Sequence, residues 1–346
     1  MIKADSRVRK KGAGKLKRVG IPRGLFFYYY YPLWKSFFVN LGAQVITSAP
    51  TNCLTVQQGI DSMVDESCFP IKVYFGHIKE LCREPIDYLF VPRIVSVERR
   101  SYICPKFMGI PDMVRARIKD LPPLIDTIID YSRDNKMMDN EILKAGKLFT
   151  SKISRIRDAY QAAYKELQFC KALAGQGYTM AEAINLWEGI PQPRFNCDTH
   201  LTVGLLGHGY SLYDQNISMN IIDRLRSMGC KVVLPEELDK QAIESRAALL
   251  PKRIFWTLGR KMVGSALYMA QSQDIDGIIY VACFGCGPDS MVGEIIERKI
   301  AGKPYMLITV DEHTGEAGLV TRLEAFCDML KRRRIRNGAD HFSPHG

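Results

Sequence analysis

Two cysteines three residues apart, Cys283 and Cys286 in "VACFGCGPDS", close an apolar run and sit beside Gly285, Gly287 and Pro288. Thiols in this setting suit a redox dithiol, half of a zinc site, one corner of an iron–sulfur site, or a sharp turn in which they are incidental. A thioredoxin-like dithiol needs the pair at a helix N-terminus, which the following Gly-Pro-Asp-Ser partly satisfies. Structural zinc usually takes two close pairs, and here there is one. An iron–sulfur site needs thiolates from several loops, and two further cysteines qualify. Cys68, in "DESCFPIKVYFGHIKEL", is expected at a helix start, where free N–H groups and the positive end of the dipole favour a thiolate. Cys104, in "RRSYICPKF", is expected on the loop after the strand "YLFVPR". In Cys-Phe-Pro, Cys-Pro and Cys-Gly-Pro, a proline lies within two residues of sulfur, fixing the local backbone without offering a competing donor.

These residues need strand ends and helix starts to hold them, and the chain supplies both twice. "RVGIPRGLFFYYYYPLWKSFFVNLGAQVITSAP" reads strand, turn, helix, Gly, strand; "TVGLLGHGYSLYDQNISMNIIDRLRSMGCKVVLPEE" repeats the plan. Val19-Gly20 aligns with Val203-Gly204, and the helix-ending Gly42 with Gly229. Each half continues to a further strand, from Ile86 and from Ile275, and the second adds a helix over 291–301, the strand "PYMLITVDEH" and a closing helix. The expected class is α/β: two Rossmann-like (flavodoxin-like) parallel-sheet domains related by internal duplication. Their expected bounds are 18–120 and 199–330, joined by a helical segment over 121–198, with Pro191 and Pro193 near the crossing. In such folds, ligands sit at the carboxyl ends of the strands.

The formal charge of +11 is carried by the ends. Residues 1–18 hold eight Lys/Arg against one Asp, and 331–346 hold five against one, so 19–330 is formally neutral. Basic tails over 1–17 and 331–346 on a neutral body argue against a surface that reads nucleic acid. No apolar run is long enough to span a bilayer and no signal-peptide core follows Met1–Arg18, so a cytoplasmic protein is expected. Ten cysteines in a reducing compartment favour metal binding or catalysis for some of them. Cys53, Cys82, Cys170, Cys197, Cys230 and Cys327 are read as ordinary thiols, with Cys53 in a polar loop and Cys197 in the Pro-containing linker.

The blocks "VGIPRGLFFYYYYPLWKSFFVNLGAQVITS", "DESCFPIKVYFGHIKEL", "IDYLFVPRI", "CFGCGPDS" and "VDEHTGEAGLVTRLEAFCDML" together resemble the activase-related relatives of the 2-hydroxyacyl-CoA dehydratase cluster-binding subunits. That superfamily includes the double-cubane cluster proteins. The resemblance implies an iron–sulfur cluster held between Rossmann-like domains by cysteines from separate loops. It also implies an ATP-hydrolysing activator of the ASKHA type that injects one low-potential electron. Cys68, Cys104 and Cys286 map onto the three dispersed ligand positions. Cys283 is the next candidate ligand, additional to that pattern, which leaves 4Fe-4S and double-cubane 8Fe-9S clusters both open. All-thiolate ligation beside Phe69 and Phe284 would give a low potential, tempered by the N–H groups of Gly285 and Gly287.

The leading expectation is therefore low-potential electron transfer or reduction, in a homodimer or hetero-oligomer, with no catalytic residue assigned. A non-catalytic electron-relay, cluster-carrier or activator-docking subunit is the second, and a cluster-free binding module the third. Four further groups carry weaker signals. Asp311, Glu312, His313 and Glu316 in "DEHTGEAG" suit either acid–base work in the crevice or helix capping; His208 in "GHG" lies where a phosphate or cluster would sit. His77 is expected to pack within its helix, and Phe26–Tyr31 against the sheet or a partner subunit.

Overall fold

The computed structural model describes residues 16–132, 136–193, 201–300 and 302–339. The first half runs β1 (Arg18–Ile21), α1 (Phe27–Asn40), β2 (Gln44–Thr47), α2 (Cys53–Ile60), α3 (Phe69–Leu81), β3 (Tyr88–Phe90), β4 (Arg93–Ser96), α4 (Pro105–Arg117), β5 (Leu124–Ile125) and β6 (Ile128–Asp130). Next come α5 (Lys136–Lys147), α6 (Ile153–Ala174) and α7 (Met180–Trp187). The second half runs β7 (Leu201–Gly207), α8 (Gly209–Leu212), α9 (Ile221–Ser227), β8 (Cys230–Val233), α10 (Lys240–Ala247), α11 (Thr257–Gln271), β9 (Gly277–Cys283), α12 (Gly287–Lys299), β10 (Tyr305–Val310) and α13 (Glu316–Ala339).

Two four-stranded sheets result, ordered β2-β1-β3-β5 and β10-β9-β7-β8, with β4 and β6 paired separately; every paired strand is parallel. Counted within each sheet, the second strand lies outermost, then the first, third and fourth. That is the doubly wound order in which the crevice opens between the first and third strands. β9 is buried at every residue, as a strand covered on both faces must be, and its run "GIIYVAC" is continuously apolar for that reason. Gly42 and Gly229 both end their helices at positive φ, +89° and +79°, where a side chain would be strained.

The segment over 121–198 is not wholly helical. It opens with β5, which extends the first sheet, and β6, which pairs with β4. These strands are only two and three residues long, too short to show a period beside Pro122 and Pro123. Its helices are no free connector, since α6 packs along α1. At the C-terminus α13 continues to Ala339, so Lys331–Arg336 ride on a helix rather than a loose tail. The N-terminal basic residues before Leu16, the last seven residues and Cys197 lie outside the described residues. Among the described helices, none is long and apolar enough to cross a membrane.

The two halves are joined by side chains that reach from one to the other. The aromatic run at the start of α1 packs there: Tyr28 meets Tyr213 edge-on at 6.2 Å, and the Tyr29 hydroxyl accepts the Gly209 N–H at 2.7 Å. Buried Lys72 of α3 pairs with Glu312 after β10. The Thr51 hydroxyl donates to Asp214. The loop between β4 and α4 is held to the second half by Arg260, which donates to Glu98 at 2.6 Å and Ser101 at 2.7 Å. Tyr102 in that loop exchanges backbone bonds with Phe255 and Thr257, both at 2.9 Å.

Candidate functional site

Cys68, Cys104 and Cys286 each occupy the N-cap of a helix, α3, α4 and α12, and each helix has a proline in its first two positions. Proline suits those positions because the N–H it lacks has no intrahelical partner there. The sequence placed the last helix four residues too late, at Met291. The start signals were present in Pro288 and in the acidic first-turn Asp289. Cys104 does follow β3 on a loop, although β4 intervenes. Cys53 begins α2 instead of lying in a loop.

Three helix N-termini thus bring sulfur to one place. Cys68, Cys104 and Cys286 line a single narrow cavity together with Lys106, His208 and Tyr210. Burial pushes all three thiols up from their ordinary range. Helix-start N–H groups oppose it: Ile71 at Cys68, Lys106 and Phe107 at Cys104, Asp289 at Cys286. The Lys106 ammonium also favours charge on Cys68 and Cys104. The backbone N–H facing Cys286 is thus that of Asp289, where the sequence had pointed to Gly285 and Gly287.

Cys283 is set apart from this group. It is the last residue of β9, buried, with Sγ 3.3 Å from the Ser211 hydroxyl, and it is not among the residues that line the cavity. Its burial pushes the thiol well up. Gly285 turns the chain between the two cysteines at φ +72°, with the site of a Cβ only 3.5 Å from the Glu66 carbonyl and 3.8 Å from the Cys68 Cα. That close approach brings the loop carrying Cys286 against the segment carrying Cys68. Phe69 is buried, whereas Phe284 is 68% exposed and does not shield the sulfurs.

Asp289 is the residue that sequence reasoning missed. Its carboxylate is buried and takes three donors: His208 Nε2 at 2.8 Å, the Tyr280 hydroxyl at 2.8 Å and the Cys283 N–H at 3.3 Å. Burial works against its charge, yet His208, Tyr280 and the Cys283 N–H together hold the carboxyl below the usual range. His208, at the N-cap of α8, is buried against Tyr210, ring centroids 5.0 Å apart. One ligand atom each from His208, Cys286 and Asp289 lie within 4.8 Å of one another.

The "DEHTGEAG" residues do not line this cavity. Asp311 accepts from the His313 N–H at 3.0 Å and the Thr314 hydroxyl at 2.7 Å, anchoring the turn, while Glu312 pairs with Lys72 and Glu316 with Arg224. His77 is fully buried and bonds Thr51 at 2.9 Å. Cys230 and Cys327 lie 3.5 Å apart, sulfur to sulfur, away from the site.

Three thiols and an imidazole from separate loops form a donor set suited to soft or borderline metals such as iron and zinc. Iron–sulfur centres in particular are held by cysteine thiolates gathered in this way. The residues present therefore fit such a group.

No curated protein matches the chain. Residues 18–238 match the family described as CoA enzyme activase uncharacterised domain (DUF2229), a span that includes Cys68, Cys104 and His208 and ends before Cys283 and Cys286. The match takes in well over half of the 346 residues, and the chain belongs to that family.

Proposed function

We propose that this chain holds an iron–sulfur cluster through Cys68, Cys104 and Cys286 and works in low-potential electron transfer, with an ATP-hydrolysing activator as its electron donor. The observation that carries the reading is the convergence of three cysteine N-caps on one cavity. Bound there, the cluster supplies a one-electron redox couple. The chain's residues supply the rest. Tyr210, Ile71 and Phe107 exclude water, and burial disfavours the extra negative charge of the reduced state. The ends of α3, α4 and α12 and the Lys106 ammonium act in the opposite sense, by favouring negative charge at the sulfurs. A potential set by this balance is low without being out of a strong donor's reach.

Internal duplication accounts for the shared strand order of the two sheets. No disulfide forms among the nine cysteines of the described residues, which suits a reducing compartment such as the cytoplasm. A non-catalytic relay or carrier is favoured by Phe284 and Met291, which flank Cys286 in sequence and are 68% and 56% exposed, as an activator-docking face would be.

The test is anaerobic isolation and reconstitution, with iron, acid-labile sulfide and visible charge-transfer absorption measured per chain. Stoichiometric iron and sulfide that accept an electron only with activator, ATP and reductant support the reading; protein that reconstitutes without either refutes it. Turnover of a small substrate such as a 2-hydroxyacyl-CoA by the same mixture separates a catalytic component from a relay.

A further inference from the structure

Asp289 dictates which nitrogen of His208 carries a proton. The carboxylate is an acceptor, already holding the Tyr280 hydroxyl and the Cys283 N–H, so the His208 Nε2 at 2.8 Å must be a donor. The other ring nitrogen, Nδ1, is buried and has no hydrogen-bond partner among the described residues. In the neutral ring that atom is a bare lone pair, and a lone pair removed from water without a partner is unfavourable. His208 lines the same cavity as Cys68, Cys104 and Cys286.

We infer that His208 Nδ1 is a fourth protein ligand to the group that the three cysteines hold, with Asp289 as the residue that fixes the ring. The inference rests on the cluster reading above and adds a nitrogen donor to it. A cysteine sulfur and a histidine nitrogen bound tetrahedrally to one metal lie roughly 3.5 Å apart, from bonds of about 2.3 and 2.0 Å. One ring nitrogen of His208, the Cys286 sulfur and an Asp289 oxygen lie within 4.8 Å of one another, which places the imidazole beside that sulfur. Asp289 itself is no ligand: its oxygens are committed to three donors, and a carboxylate behind a metal-bound imidazole sets tautomer and orientation. The dyad also ties two strand ends together, since His208 follows β7 and Asp289 follows β9, the neighbouring strands between which the crevice opens.

The experiment needs no mutation at first. The chain is produced with ordinary histidine and with histidine labelled with ¹⁵N in the ring, reconstituted anaerobically and reduced. Nitrogen hyperfine coupling to the paramagnetic centre is then read by pulsed electron paramagnetic resonance. A coupling that changes with the label, and is lost in His208→Ala while iron and sulfide remain, is the expected result. A cluster that forms with no label-sensitive coupling overturns the inference and leaves the three-cysteine reading standing. A label-sensitive coupling that survives His208→Ala assigns the nitrogen to another histidine and also overturns it. Wild-type protein that takes up no iron and sulfide refutes the cluster reading and this inference with it. If His208→Ala fails to fold or to hold iron, the labelled wild-type pair decides, with His208→Gln as the variant for assignment.

Discussion

Asp289 Oδ1 lies 2.8 Å from His208 Nε2, and this one contact joins the start of α12 to the end of β7 beside a cysteine-lined cavity. Because the carboxylate also satisfies the Tyr280 hydroxyl and the Cys283 N–H, its removal leaves three buried donors unpaired. Asp289→Ala is expected to lower the stability of the metal-free protein by about 3 kcal/mol or more, at roughly 1–3 kcal/mol for each buried donor left unsatisfied. Tyr280→Phe removes one partner only and is expected to cost about 1 kcal/mol. Denaturant unfolding of both variants checks the ratio; equal costs would contradict it.

The Lys72–Glu312 pair links the halves with side chains 3% and 12% exposed. Lys72→Met strands the glutamate and is expected to destabilise by about 3 kcal/mol. Lys72→Met with Glu312→Gln is expected to recover most of that, a coupling that a double-mutant cycle reads directly.

His77 sets part of the response to pH. Burial, aided by Arg23, holds its imidazole down at about 3. The unfolded chain therefore takes up a proton below about pH 6.5 that the folded chain refuses, so stability is full above that pH and falls as pH drops. Between pH 7.5 and 5 this one group is expected to remove about 2 kcal/mol. His77→Gln should flatten that slope in unfolding measurements at several pH values, whatever it does at pH 7.5.

Much of this was legible in the chain, and the rest was hidden for physical reasons. Cys68, Cys104 and Cys286 announced themselves through sulfur beside proline, because helix starts and thiolates have the same preference for free N–H groups. Gly42 and Gly229 marked the matching helix ends through their need for positive φ. Asp289 was invisible, since an acid in a first helical turn is ordinary capping chemistry and nothing local shows that His208 lies opposite. The separate fates of Cys283 and Cys286 depend on a single turn at Gly285, whose direction no spacing rule gives. β5 and β6 escaped notice because two or three residues carry no period.

On the cluster reading, Cys283 and Cys286 are separated by function as well as by place. Anaerobic reconstitution of Cys68→Ser, Cys104→Ser, Cys286→Ser and Cys283→Ser, with iron and sulfide counted per folded chain, gives four independent readings. Cys283→Ser is expected to keep the wild-type content, because its sulfur faces Ser211, and each of the other three to lose most of it. Loss of iron in Cys283→Ser with full retention in Cys286→Ser would contradict this expectation.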